Sequence, residues 1–141
     1  MDSKQIKLVQ DSFAKVAPIS EQAAVLFYDR LFEVAPSVKA MFPADMTEQR
    51  KKLMATLAVV VNGLSNLESV LPAASSLARR HVAYGAKPSH YPVVGGALLW
   101  TLEKGLGEAW TPETAAAWTA AYGTLSGYMI SEAYGSAQAA E

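Results

Sequence analysis

The chain has 141 residues, of which 51% are hydrophobic and 18% are charged, and its formal net charge is −1 at pH 7. This length suits one domain that is stable without disulfides, and this composition is too apolar for a disordered chain. The balanced charge argues against nucleic-acid binding, and the absence of cysteine excludes thiolate metal sites, iron–sulfur clusters and cysteine nucleophiles.

The chain also lacks the sequence features of membrane insertion and secretion. No run approaches about 18 consecutive apolar residues, so we expect no membrane span. The first residues, MDSKQIKLVQDSF, lack a basic start followed by an apolar stretch, so we expect no signal peptide. These observations favour a cytoplasmic protein.

Apolar residues recur with a helical period along the chain, and no stretch shows the alternation that is typical of a strand. The first predicted helix begins near Asp2 and is ended by Pro18, and a second helix continues to about Ala35. Pro36 begins a short turn of helix that ends at Phe42, because proline fits a first helical turn but not a helix interior.

The second half of the chain continues this pattern. A helix is predicted over about 45–64, and the next carries an apolar stripe from Val70 to His81 before a break at 85–88. A fifth long helix stops at Gly107, and Thr111 followed by Pro112 is a strong start signal for the last one. The sequence therefore predicts an all-α domain of six or seven helices over residues 1–141, with a frayed tail at 135–141.

Three polar side chains lie in phase with the apolar stripes: Tyr28, Gln49 and His81. An unpaired buried polar group costs roughly 1–3 kcal/mol, so each needs a partner, and a backbone carbonyl would satisfy each one singly. A neutral imidazole is a common iron ligand, but one histidine cannot hold a bare ion. It can be the single axial ligand of haem, because the porphyrin supplies four nitrogens.

At this point the chain resembles the globins, and it is most similar to bacterial single-domain globins related to the haem domain of flavohaemoglobins. The resemblance extends from LVQDSF to about Glu132. Its most specific pieces are LFYDRLFEVAPSVKAMF, RRHVAYGAKPSHYPVVGGALL and AWTAAYG. It implies a globin fold around one haem b, iron protoporphyrin IX, and reversible binding of O₂.

On the distal side of the haem, the resemblance assigns four residues. Tyr28 and Gln49 match the pair over the open iron position, Leu53 matches the apolar residue that walls this pocket, and Phe42 matches a phenylalanine that packs against the porphyrin. Bound O₂ takes on negative charge, and both the Tyr28 hydroxyl and the Gln49 amide can donate to it. We therefore expect tight O₂ binding and a weaker effect on carbon monoxide.

On the proximal side, His81 matches the iron ligand, whereas His90 has no ligand counterpart. Tyr91 matches a tyrosine that in flavohaemoglobins joins a glutamate near the proximal imidazole, where a carboxylate makes the ligand more basic. Glu132 lies three residues after Met129, on the stripe predicted to face inward, and is our candidate for this carboxylate. The alternative is a solvated acid near the helix end.

Two classes of function remain open. One is an O₂-binding protein that stores, delivers or scavenges O₂. The other is a nitric oxide dioxygenase that removes NO and takes electrons from an external reductase, because the sequence stops at Glu141, before any flavin domain. A haem-based gas sensor is a third hypothesis. It is less favoured because no output domain follows in this sequence.

Overall fold

The computed structural model describes residues 2–83 and 89–140, and all regular secondary structure within them is helical. Six α-helices are joined by short 3-10 helices, one of which, Pro36–Met41, connects the second and third. In chain order they are α1 (Ser3–Val16), α2 (Ser20–Val34), α3 (Thr47–Asn62), α4 (Leu67–Ala83), α5 (His90–Leu106) and α6 (Pro112–Ala140). The predicted all-α fold class is confirmed.

Local capping explains several helix boundaries. The Asp2 carboxylate accepts from the Gln5 amide at 2.8 Å, and the Gln5 side chain accepts from the Asp2 amide, which makes a capping box before α1. The Thr111 hydroxyl accepts from the Thr114 amide at 3.1 Å and caps the N-terminus of α6. Gly107 follows α5 with a φ of 55°, a conformation that favours glycine.

Two predicted boundaries need comment. The break expected at residues 85–88 lies outside the described residues. α6 continues to Ala140, through most of the segment for which the sequence predicts a frayed tail, and that expectation stays a prediction. Among the residues that the structure describes, no helix is both long enough and apolar enough to cross a membrane.

The buried side chains form two clusters that position the candidate site. The larger cluster joins α1, α2, α3, α5 and α6, and it includes Val9, Tyr28, Leu31, Leu98 and Trp118. The smaller cluster joins α4, α5 and α6, and it consists of Ala74, Ala78, Tyr91 and Met129. The helix pairs α1–α6, α2–α5 and α4–α6 make the most extensive contacts, so α6 contributes to both clusters.

Candidate functional site

Tyr28 lies in the middle of α2, and its side chain is enclosed by aromatic rings. It is 5% exposed, and its ring centroid is 5.5 Å from that of Phe42 and 6.0 Å from that of Phe32. Phe42 follows the 3-10 helix Pro36–Met41 in an extended conformation, which turns its ring back onto α2. The predicted pair of Tyr28 and Phe42 is therefore brought together, and the tyrosine ring has little freedom to move.

Gln49 lies in the first turn of α3, and its side chain bonds directly to Tyr28. The Gln49 Nε2 amide donates to the Tyr28 hydroxyl oxygen at 3.1 Å. Because the hydroxyl oxygen is the acceptor in this bond, the bond does not use the phenolic hydrogen, which can be donated to another acceptor. A donor bond of this kind also polarises the hydroxyl and strengthens it as a donor.

The protonation state of Tyr28 supports this role. Burial raises the pKa of Tyr28 above its ordinary value, and the bond from Gln49 opposes this rise without cancelling it. The phenol is therefore neutral at physiological pH and keeps its hydrogen. Leu53, one turn beyond Gln49 on α3, is half-buried and packs against the larger cluster.

His81 lies near the end of α4, half-buried, with its ring bonded to its own helix. Its Nδ1 atom is 2.8 Å from the backbone carbonyl oxygen of Leu77. A carbonyl oxygen only accepts, so Nδ1 carries the proton and Nε2 carries the lone pair. This is the arrangement in which a second-shell acceptor orients a metal-binding imidazole.

The charge state of His81 agrees with a ligand role. Burial lowers the pKa of His81, the bond to Leu77 raises it, and the neighbouring Arg80 lowers it, with burial the largest effect. The imidazole is therefore neutral at neutral pH. Only the neutral form has a lone pair for a metal ion.

Tyr91 lies in the first turn of α5 and contacts the His81 ring, as the sequence predicts. Its side chain is 6% exposed, and the two ring centroids are 6.1 Å apart with an interplanar angle of 30°. The backbone carbonyl of Tyr91 accepts a hydrogen bond from the Tyr122 hydroxyl of α6 at 2.5 Å. The proximal histidine candidate is thus packed against a buried ring whose backbone is held by another helix.

The inward orientation predicted for Glu132 is wrong. Its side chain is exposed, and its Oε1 atom accepts from the Tyr128 hydroxyl, one turn earlier on α6, at 2.9 Å. Three residues at about 100° each place it about 60° away from the direction of the buried Met129, towards solvent. Whether its charge acts on His81 stays a prediction.

Sequence reasoning assigns no role to Tyr122, although its hydroxyl bonds to the backbone of Tyr91 beside the proximal histidine candidate. Tyr122 is a tyrosine within an apolar stripe of the last helix, and this is the same sequence feature that singled out Tyr28. Its hydrogen-bond partner is a backbone carbonyl on another helix, and no sequence pattern indicates this pairing.

The donor set of this chain fits haem. His81 offers one neutral imidazole nitrogen, which is the single axial base that a haem iron needs. Phe42 and Leu53 offer half-buried apolar side chains of the kind that a porphyrin face packs against. Tyr28 offers a neutral hydrogen-bond donor held in place by three aromatic neighbours, Phe27, Phe32 and Phe42.

Comparison with known proteins identifies the family. A globin family model matches residues 25–129. Flavohemoproteins of Rhodopirellula baltica and Bacillus subtilis are 35% and 31% identical over 133 and 136 residues. Each match covers 92% of this chain but 33% of the relative, so the chain spans about a third of the length of these curated relatives.

The fold agrees with a solved structure of the same family. A bacterial globin from Campylobacter jejuni superposes with a TM-score of 0.83 and 28% sequence identity, and the match covers 94% of this chain and 96% of the other. The family model, the sequence relatives and the fold agree with one another. The chain therefore belongs to the globin family, whose members bind haem and gaseous ligands.

Proposed function

We propose that this chain binds haem b through His81 and reversibly binds O₂ in a pocket whose hydrogen-bond donor is Tyr28. The observation that carries the proposal is the bond from the Gln49 amide to the Tyr28 hydroxyl oxygen. This bond does not use the phenolic hydrogen of Tyr28. We infer that the hydrogen is donated to a polar diatomic ligand. A cytoplasmic location, expected from the sequence, is part of this proposal.

When bound, haem supplies an iron with one open coordination position for a diatomic gas. The Nε2 atom of His81 is the protein ligand that we propose, and the carbonyl of Leu77 accepts its Nδ1 proton and fixes the ring orientation. Phe42 and Leu53 provide apolar surface for the porphyrin and help to keep water out of the pocket.

Tyr28 gives the pocket its selectivity. O₂ as a haem ligand carries more negative charge than carbon monoxide, so a neutral donor stabilises O₂ more. One such hydrogen bond contributes about 1–2 kcal/mol, or about one decade in affinity. Exclusion of water from the surroundings of Tyr28 strengthens the bond further.

A second candidate function is oxidation of nitric oxide to nitrate with electrons from a separate reductase. The similarity to flavohemoproteins and the packing of Tyr91 on His81 favour it. The balanced reaction, NO + O₂ + e⁻ → NO₃⁻, consumes one electron per turnover, which the reductase supplies. The roles of Tyr28 as the distal donor and of Gln49 as the residue that donates to Tyr28 are the same in both candidates.

The test of the proposal is ligand binding by the purified protein. We expect one haem per chain and a ferrous form that converts reversibly between deoxygenated and oxygenated absorption spectra. Immediate oxidation to the ferric form in air, with no oxygenated spectrum, would contradict reversible O₂ binding.

A second measurement separates the two candidate functions. The haem protein is mixed with NO, O₂, NADH and a reductase fraction from the cell, and nitrate is measured per haem. Formation of many nitrate ions per haem supports the enzyme, whereas about one nitrate per haem supports the O₂-binding protein.

A further inference from the structure

A cavity of about 250 Å³ lies among α1, α3, α4 and α6. Its wall is mainly apolar and includes Ile6, Val60, Leu64, Val70 and Leu125. Folded proteins contain few voids larger than a water molecule, because side chains that face a void lose van der Waals contacts. A cavity of this size therefore costs stability unless a ligand fills it.

The cavity is separate from the proposed haem site. None of Tyr28, Gln49, Leu53 and His81 is among the described residues that line it. On α3, Gln49 and Leu53 lie in the first two turns, whereas Val60 lies in the last turn. A rise of 1.5 Å per residue sets Gln49 and Val60 about 16 Å apart along the helix axis. The cavity and the distal pair are therefore at opposite ends of α3.

The walls of the cavity are held in place by contacts between helices. A Cβ atom built at Gly63, which follows α3, would overlap with a methyl group of Val70 on α4, so glycine permits this close approach. The Gln10 Nε2 amide of α1 donates to the Val61 carbonyl at 3.0 Å and to the Ser65 hydroxyl at 3.2 Å. These contacts tie α1 and α4 to the end of α3, which opposes collapse of the cavity.

The polar groups of the lining suit an apolar ligand better than water. The Tyr128 hydroxyl donates to Glu132 at 2.9 Å, and the Ser65 hydroxyl accepts from Gln10, although neither partner lines the cavity. A third hydroxyl belongs to Thr124, which is exposed. A buried water needs about two to four polar partners. None of the described lining residues is charged at neutral pH, so an ionised ligand would lose its hydration without gaining a partner.

We propose that this cavity binds a small uncharged apolar molecule of the size of a benzene ring with a short substituent. In another protein, an apolar cavity of about 150 Å³ binds benzene. The cavity described here is larger, so it has room for a substituted ring. Burial of the apolar surface of the ligand, together with its contacts to the wall, drives binding. This inference does not depend on the proposed role in O₂ binding.

The experiment uses toluene as the probe and the ferrous haem protein with bound carbon monoxide, which is diamagnetic and gives sharp methyl resonances. We expect the methyl resonances of Ile6, Leu64 and Val70 to shift in a saturable way, with one toluene per chain and a Kd on the order of 1 mM. Benzoate has the same ring with a charge, and we expect it to leave these resonances unchanged because no cation lines the cavity.

A substitution that fills the cavity tests its location. Ala121 is buried on α6 and lines the cavity, so Ala121→Leu places a larger side chain inside it. We expect toluene to bind about tenfold more weakly, which corresponds to the displacement of about two methylene groups of contact. Ala116→Leu makes the same change at an exposed position of the same helix and should bind toluene as the unsubstituted protein does. If Ala121→Leu does not fold, Val60→Phe fills the cavity from the half-buried side of α3.

Three results would overturn the proposal: no saturable shift up to the solubility of toluene, unchanged affinity in the variant that fills the cavity, or equal binding of benzoate. The infrared stretching band of the bound carbon monoxide distinguishes the two sites. An unchanged band together with weakened binding in Ala121→Leu supports the cavity. A shifted band together with unchanged affinity in Ala121→Leu places toluene in the haem pocket and excludes the cavity.

Discussion

On the distal side of the proposed haem site, two side chains from different helices bond to each other: Gln49 of α3 donates to Tyr28 of α2. On the proximal side, the side chain of His81 bonds to the backbone carbonyl of Leu77 in its own helix. A bond between side chains disappears when either residue is replaced. A backbone carbonyl remains whatever side chain its residue carries.

The distal side of the proposed site is therefore more easily changed by substitution than the proximal side. In the proposed site the affinity for the ligand depends on a pair of distal side chains, so single substitutions there should change ligand kinetics while the haem stays bound. On the proximal side the acceptor is a backbone carbonyl, which is present whatever side chain its residue carries. Only replacement of the donor residue should therefore change the orientation of the proximal ring.

The largest effect is expected for His81→Ala, which removes the proximal donor and the proposed iron ligand together. The variant should lose haem during purification, and added imidazole should restore the absorption spectrum. His90→Ala is the matched control, because the second histidine of the chain has no proposed ligand role. Loss of haem from His90→Ala with retention in His81→Ala would reverse the assignment.

Tyr28→Phe should accelerate O₂ dissociation by about one to two decades, which corresponds to roughly 1.4–2.7 kcal/mol of lost hydrogen bonding. The ring and its contacts with Phe32 and Phe42 are retained, so haem binding should not change. Stopped-flow measurements with O₂ and carbon monoxide check this prediction. Equal acceleration for both gases would indicate steric control and exclude the donor role.

Gln49→Leu should act in the same direction with a smaller effect, less than about one decade, because Gln49 works through Tyr28. In the Tyr28→Phe background the same substitution should change O₂ dissociation little. This non-additivity, measured as a double-mutant cycle, identifies the direct bond between the two side chains. Fully additive effects would mean that each residue acts on the ligand independently.

The pH dependence of O₂ dissociation should be flat on the alkaline side. Burial raises the pKa of Tyr28 above the ordinary tyrosine value of about 10, so the neutral donor persists between about pH 7 and pH 10. Ionisation would remove the phenolic hydrogen and accelerate O₂ release as the pH rises. Rates measured across this range check the prediction, with Tyr28→Phe as the control that lacks the titrating group. A rise below pH 10 that is absent from the variant would contradict it.

The smallest effect is expected for Glu132→Gln. The carboxylate is exposed and bonds to Tyr128, so its neutralisation should leave the iron–histidine stretching band where it is. A lower frequency in this variant would show that the charge reaches the proximal imidazole and would restore the sequence-based expectation.

Much of the fold was predictable because helix boundaries depend on neighbouring residues. The capping groups of Asp2 and Thr111 act within three residues of their own position, so they can be read along the chain. The phase of Tyr28, Gln49 and His81 within their stripes likewise predicted that they face inward, and all three are buried or half-buried.

Tertiary structure alone decided how these residues act on one another. Tyr28 and Gln49 are 21 residues apart, and Tyr122 and Tyr91 are 31 apart, so their bonds depend on how separate helices pack. Helical phase gives the direction of a side chain relative to its own axis, but whether another helix covers that direction depends on the rest of the chain. This is why the phase of Glu132 misled, and why the bond from Tyr122 to the Tyr91 carbonyl appears only where α5 and α6 touch.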